Sequence, residues 1–182
     1  MLSPKYFDIA FRFLQLRDDS GNVSKTQWGP SDARWLISKL NWIYGPQSNI
    51  SFRLADADWV NVDVKADAMD LNKPLQGADF LKHAAGSKSK TANLSVFFVR
   101  NYLTVDKRGF SETFLDENIS VVEDKPLLPV TQGADPFLVN LAHEVAHFLR
   151  FEEEGTREDD HPTGQTFCCP EAYKAPGWIN SW

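Results

Sequence analysis

The stretch Asp135-Pro136-Phe137-Leu138-Val139-Asn140-Leu141-Ala142-His143-Glu144-Val145-Ala146-His147-Phe148-Leu149 decides how this chain is read. Asp135 and Pro136 open a helix as its N-cap and first helical residue. Phe137, Leu138, Val139, Leu141, Ala142, Val145, Ala146, Phe148 and Leu149 make that helix apolar nearly all round, so it is expected to be buried. One narrow stripe is polar, formed by Asn140, His143, Glu144 and His147. Burying polar groups is costly unless they are partnered, so the stripe demands a partner. Residues four apart on a helix lie one above the other on the same face. His143 and His147 can therefore grip one metal ion together, with Glu144 placed to reach a water held there. The first glycine after the pattern is Gly155, which predicts a helix running on to Glu154.

Outward from the helix, the rest of the chain supplies a sheet to bury it. Ile9, Phe11 and Phe13 alternate within residues 5–16, which predicts a strand, and Asp18-Asp19-Ser20-Gly21-Asn22 is turn chemistry. Gly29-Pro30-Ser31-Asp32 reads as a helix start. Ala33, Leu36, Ile37, Leu40, Ile43 and Tyr44 follow at helical spacing until Gly45-Pro46 is expected to stop the helix. Ile50, Phe52 and Leu54 predict a second strand. Residues 56–92 read as irregular, with a short helix near Ala78–His83. Leu94 to Leu103 is apolar on both sides, as a central strand must be, and Ile119–Val122 reads as a further strand after a loop holding Gly109. The order is that of an α+β domain, a mixed twisted sheet backed by two helices. A single domain over residues 1–182 is expected: sheet and backing helix over 1–134, the buried helix over 135–154, and an irregular loop and tail over 155–182.

Composition narrows the function classes. At 182 residues, 42% hydrophobic and 24% charged, the chain has the make-up of a soluble globular protein with one core. A formal charge of -6, with no basic stripe, argues against nucleic acid as a partner. No apolar run approaches the roughly 18 residues a membrane span needs. No signal peptide is visible after Met1, so a cytoplasmic protein or one exported without a cleaved leader is expected. Cys168 and Cys169 are neighbours, between which a disulfide is strained, so two free thiols are the default. The tryptophans Trp28, Trp35, Trp42, Trp59, Trp178 and Trp182 read as core or as walls of a binding cleft.

His143-Glu144-Val145-Ala146-His147 is the HExxH pattern, and the chemistry explains its spacing. A catalytic zinc takes three protein ligands and leaves a fourth position for water, whose pKa the metal brings to about 7. A neighbouring carboxylate, here Glu144, accepts the proton. Leu141–Leu149 resembles the active-site helix of zincin metallopeptidases, and the strands before it resemble the N-terminal half of the metzincin group. The resemblance implies Zn2+ as cofactor, His143 and His147 as ligands, Glu144 as general base, and a peptide or protein substrate lying antiparallel along a sheet edge. The strand at Ile119–Val122 is the expected edge.

The third ligand departs from that pattern. Metzincins carry a glycine three residues after the second histidine and a ligand three further on, where this chain has Arg150 and Glu153. A helix prolonged by five residues adds about 7.5 Å that the chain must retrace, which favours Asp159, Asp160 or His161 over Glu153. Gly155-Thr156-Arg157-Glu158 resembles the Gly-Thr-x-Asp element of aspzincins, in which Glu158 takes the ligand place. His161 is favoured, since imidazole suits zinc and Pro162 stiffens the loop after it. Glu158, Asp159 and Asp160 stay open as alternatives. The methionine turn of metzincins has no counterpart, because Met1 and Met69 are the only methionines; Cys168 and Cys169 fall in roughly the right stretch. The resemblance also implies a hydrogen bond from Tyr173 to an oxyanion, as tyrosines in this region make in some relatives, although packing is its more ordinary role. The expected function is a zinc metalloendopeptidase. The alternatives are a metallohydrolase toxin domain of a larger secreted system, with any inhibitor or immunity partner left open, and an inactive zinc-binding module that binds proteins.

Overall fold

The computed structural model describes residues 5–64, 75–103, 111–124 and 136–149. The spine of the fold is β1 (Lys5–Asp18), where aromatic and aliphatic side chains alternate across the sheet. Ile9, Phe11 and Phe13 point to one face and Ala10, Arg12 and Leu14 to the other, as a period of two requires. The chain turns at Gly21, whose φ of +83° suits a residue without a Cβ, and returns as β2 (Val23–Lys25), antiparallel to the end of β1.

Helix α1 (Ala33–Ser48) follows a 3-10 turn at Pro30–Asp32, in which the Asp32 carboxylate accepts the Gly29 N–H at 2.9 Å. A Cβ on Gly29 would meet Trp59 Cζ2 at 3.1 Å, so the close approach of backbone to indole favours glycine. Contrary to the expected stop at Gly45-Pro46, α1 continues through Pro46 to Ser48. A proline in the last turn removes a single intrahelical bond, and Asn49, left-handed at φ 55°, ends the helix.

From there β3 (Ile50–Val64) runs parallel to β1 over its whole length. Sequence reading ended this strand at Leu54 and took the residues beyond it as irregular. The register slips at Ala55, a bulge that puts Asp56 and Asp58 opposite Ala10 and Arg12. The Arg12 guanidinium is bound to the Asp56 carboxylate and donates from Nε to the Ser87 carbonyl at 2.7 Å. The acidic run is therefore an edge strand carrying charge, a feature that discourages further pairing.

The short helix expected near residues 78–83 is α2 (Gly77–Ala84), preceded by β4 (Leu75–Gln76). Central β5 (Leu94–Val99) is buried throughout. It stops six residues in, and β6 (Tyr102–Leu103) leaves to pair with β4 in a separate ribbon. The next strand, β7 (Ser111–Phe114), lies where the sequence predicts a loop; it pairs antiparallel with β8 (Ile119–Glu123), which lies parallel to β5. The main sheet therefore runs β3-β1-β5-β8-β7, with β2 beside the end of β1. β8, the expected edge, is internal; among the described residues the edge on that side is β7.

Helix α3 (Pro136–Leu149) completes the described chain, and residues 150–154, expected to prolong it, lie outside those residues. α1 and α3 cover one face over Phe11, Phe13, Val96, Phe98 and Val122, and α2 covers the other over Leu14, Phe97, Ile119 and Val121. The fold is α+β with a mixed sheet, as expected, but α2 lies on the face opposite the other two helices. Tyr44 ties α1 to α3 by donating its hydroxyl to the Ala142 carbonyl at 2.5 Å. Trp28, half-buried, stacks on Trp35 at 5.6 Å and on Phe137 at 4.5 Å, whereas Trp35, Trp42 and Trp59 are exposed. Among the described residues no helix is long and apolar enough to cross a membrane.

Phe98 lies where sheet and α3 meet, fully buried, with ring centroids 4.9 Å from Phe13, 5.3 Å from Phe11 and 5.5 Å from Phe137. Phe98→Ala should cost about 3–5 kcal/mol, lost transfer energy plus a cavity that the aromatic neighbours fill only in part. Urea unfolding at unchanged m-value measures it, and a loss below about 1 kcal/mol would contradict this packing.

Candidate metal centre

Helix α3 presents its polar stripe as read from the sequence, and each member has a partner. His143 Nε2 and His147 Nε2 lie 2.9 Å apart, with ring centroids 4.5 Å apart and planes crossed at 83°. Both rings are half-buried, so the nitrogens converge from successive turns on one point at the helix surface. One imidazole can donate to the other there, according to tautomer.

The same point suits a metal. Two nitrogens sharing a tetrahedral zinc at about 2.0–2.1 Å lie about 3.3 Å apart, a few tenths beyond the separation found. The pair fits as two of the three ligands that a catalytic site takes. His161, favoured as the third, lies outside the described residues, as do Glu158, Asp159, Asp160, Cys168, Cys169 and Tyr173. Among the described residues no third histidine, cysteine or acid joins His143 and His147.

Glu144 points toward β7 and is buried at 3% exposure. Its Oε2 accepts the Thr113 hydroxyl at 2.7 Å; Thr113 Oγ1 is also 3.0 Å from the Glu144 carbonyl and 2.9 Å from Ser120 Oγ. Burial pushes the Glu144 carboxyl up to about 8; the Thr113 bond works against that rise and the Glu112 charge adds to it. One turn earlier, Asn140 Nδ2 donates to Ser111 Oγ at 2.5 Å, and Ser111 Oγ also accepts the Glu123 N–H at 3.2 Å. On the far side of β7, Glu112 Oε2 accepts the Tyr102 hydroxyl at 2.9 Å, and burial, with Glu112 next, raises the phenol well above its ordinary range.

Thr113, Ser111 and Ser120 were missed in the sequence. The alternation in Ser111-Glu112-Thr113-Phe114 was the available signal, but four residues without a branched aliphatic side chain make a weak strand pattern. Compared with protein-family models and with curated proteins, the chain matches none of either.

At the end of β8, Glu123 is buried, and its Oε2 has no hydrogen-bond partner among the described residues. Burial pushes its carboxyl up to about 7, opposed by the Tyr102 N–H and reinforced by Asp124. The folded state thus holds a proton that the unfolded chain releases near 4.5. The neutral acid favours folding below that pH; the benefit fades between about 4.5 and 7, and above 7 the ionised group is a net cost. Glu123→Gln should accordingly be the more stable protein at pH 8, by on the order of 1 kcal/mol after solvent screening, and no more stable at pH 4.5. Urea unfolding of both proteins across that range tests the sign; a constant difference would refute it.

Proposed function

We propose that this chain is a zinc-dependent metallopeptidase that hydrolyses peptide bonds, with Glu144 as general base. The observation that carries the reading is the convergence of His143 Nε2 and His147 Nε2 beside a carboxylate fixed on the same helix. His143 and His147 would hold the zinc, with His161 favoured as third ligand and Glu158, Asp159 and Asp160 as its alternatives. Bound there, zinc would polarise the scissile carbonyl and make water acidic enough to attack it near neutral pH.

The protein's own groups do the rest. Glu144 has one carboxylate oxygen, Oε2, on Thr113, and no hydrogen bond among the described residues falls on Oε1. Oε1 is the atom that takes the proton of the attacking water and returns it to the leaving amine. Burial holds the carboxyl near the range where both transfers are feasible at neutral pH. Among the described residues β7 is the edge of the sheet, one residue's width from Glu144 through Thr113, and it is antiparallel to β8. An extended peptide added to that edge would pair its backbone with β7 and bring a carbonyl toward α3. This assigns to β7 the part that sequence reading gave to Ile119–Val122.

Purified chain should bind one zinc and cleave peptides from a mixed library. Glu144→Gln should keep the metal and lose at least about a hundredfold in kcat. His147→Ala should lose the metal, and of alanine substitutions at Glu158, Asp159, Asp160 and His161, one should do the same. A zinc-loaded wild type that cleaves nothing would favour a binding module. Full activity in Glu144→Gln would end the mechanism. Toxicity on expression that disappears with His143→Ala would point to a toxin domain.

A further inference from the structure

Two of the four polar residues of α3 are held by one strand. Thr113 and Ser111 alternate on β7, about 6.8 Å apart along an antiparallel strand, and Glu144 and Asn140 are four residues apart on α3, about 6.0 Å along its axis. The two rises nearly match, so successive inward hydroxyls of β7 meet successive polar positions of α3, at 2.7 Å for Thr113 with Glu144 and 2.5 Å for Ser111 with Asn140. The seam is continuous with the sheet, because Thr113 stands opposite Ser120 in the β7–β8 register.

We propose that Thr113 is the positioning residue for the general base, fixing the Glu144 carboxylate so that Oε1 alone is presented to the reacting water. The inference rests on Glu144 being that base. The Thr113 hydroxyl has one proton and three oxygens around it, and only one arrangement satisfies the carboxylate. Ser120, fully buried, donates to Thr113 Oγ1, and Thr113 donates to Glu144 Oε2. The side-chain oxygen is also the nearer acceptor, at 2.7 Å against 3.0 Å for the Glu144 carbonyl, so the Thr113 proton goes to Oε2. Threonine suits the task because branching at Cβ stiffens χ1 and the ladder to β8 fixes its backbone. The hydroxyl also prevents the buried carboxylate from turning toward the imidazoles, where it would occupy the position of the water.

The test compares Thr113→Val and Thr113→Ser in the full chain, zinc-loaded, on a peptide that the wild type cleaves. Valine keeps the shape and removes the donor; serine restores it. Thr113→Val should lower kcat about 10- to 100-fold, with KM and zinc content within about threefold of wild type, and Thr113→Ser should recover most of the loss. A packing role alone would not separate kcat from KM in that way. In the metal-free chain, the drops in unfolding temperature caused by Thr113→Val and Glu144→Leu should be less than additive in the double variant, because each removes one partner of the same bond. If Thr113→Val does not fold, Ser120→Ala, which removes only the donor into Thr113, should lower kcat about 3- to 10-fold. Unchanged kcat in the folded variants, or additive temperature losses, overturns the proposal. A Glu144→Gln variant that is dead beside a fully active Thr113→Val overturns this inference alone, whereas full activity in Glu144→Gln overturns the proposed function and this inference together.

Discussion

The structure depends on burying α3, and burying it is possible only because its one polar side is bonded. Phe137, Leu138, Leu141, Ala142, Val145 and Ala146 are nine-tenths or more buried against β1, β5, β8 and α1. That apolar surface is the main favourable term for docking the helix. Glu144 lies on the same helix at 3% exposure, and an unpartnered carboxylate there would offset much of the gain. The Thr113 hydroxyl, the Asn140–Ser111 bond and the convergence of the two imidazoles leave each polar residue of the stripe with a partner. A helix free to rotate about its axis would break both bonds to β7 at once. The polar seam therefore sets the azimuth of α3, while the apolar surface sets its depth.

The sheet beneath is arranged to make that docking face smooth. β1 and β5 are apolar on both faces and lie side by side in the middle, as strands covered by helices on each side must be. Polar demands are moved outward along β3, where Arg53 binds Asp8 bidentately at 2.8 and 2.9 Å across the register and Asp56 meets Arg12. Arg12 is the one buried charge of β1 and β5, and it faces α2's side, opposite the candidate metal centre.

Much of this was legible in the sequence, and the failures share a cause. β1, α1, α2, β8 and α3 are legible from hydrophobic pattern, with start signals at Pro30 and Pro136, because each buries a regular apolar face. The far half of β3 was not, since Asp56, Asp58 and Asn61 belong to an edge where water and a buried arginine take the place of a core. β7 was missed for a related reason: its inward residues are Ser111 and Thr113, which pack against a polar stripe rather than an apolar one. Sequence reading located the stripe on α3 and inferred that it needed a partner, but assigned the whole of that need to a metal. The hydroxyls that meet half of it are distant in sequence and have no motif of their own. The pairing of His143 with His147, by contrast, follows from spacing on one helix and needed no tertiary knowledge.

The division of the stripe follows from helical geometry. At about 100° per residue, His143 and His147 lie about 60° and 20° to one side of Asn140, and Glu144 about 40° to the other. β7 approaches from the Glu144 side and binds the two residues nearest to it. The imidazoles, on the other side of Asn140, have each other within reach. One helix thus offers two different surfaces within about 100° of arc: a hydroxyl-bonded side that holds a carboxylate rigid, and an imidazole side whose nitrogens converge on a point. A base fixed relative to a metal must be attached to the same rigid element yet be prevented from becoming a ligand itself. In the proposed mechanism, placing Glu144 next to His143 in sequence would achieve the first, and a strand hydroxyl on the opposite side of the stripe would achieve the second.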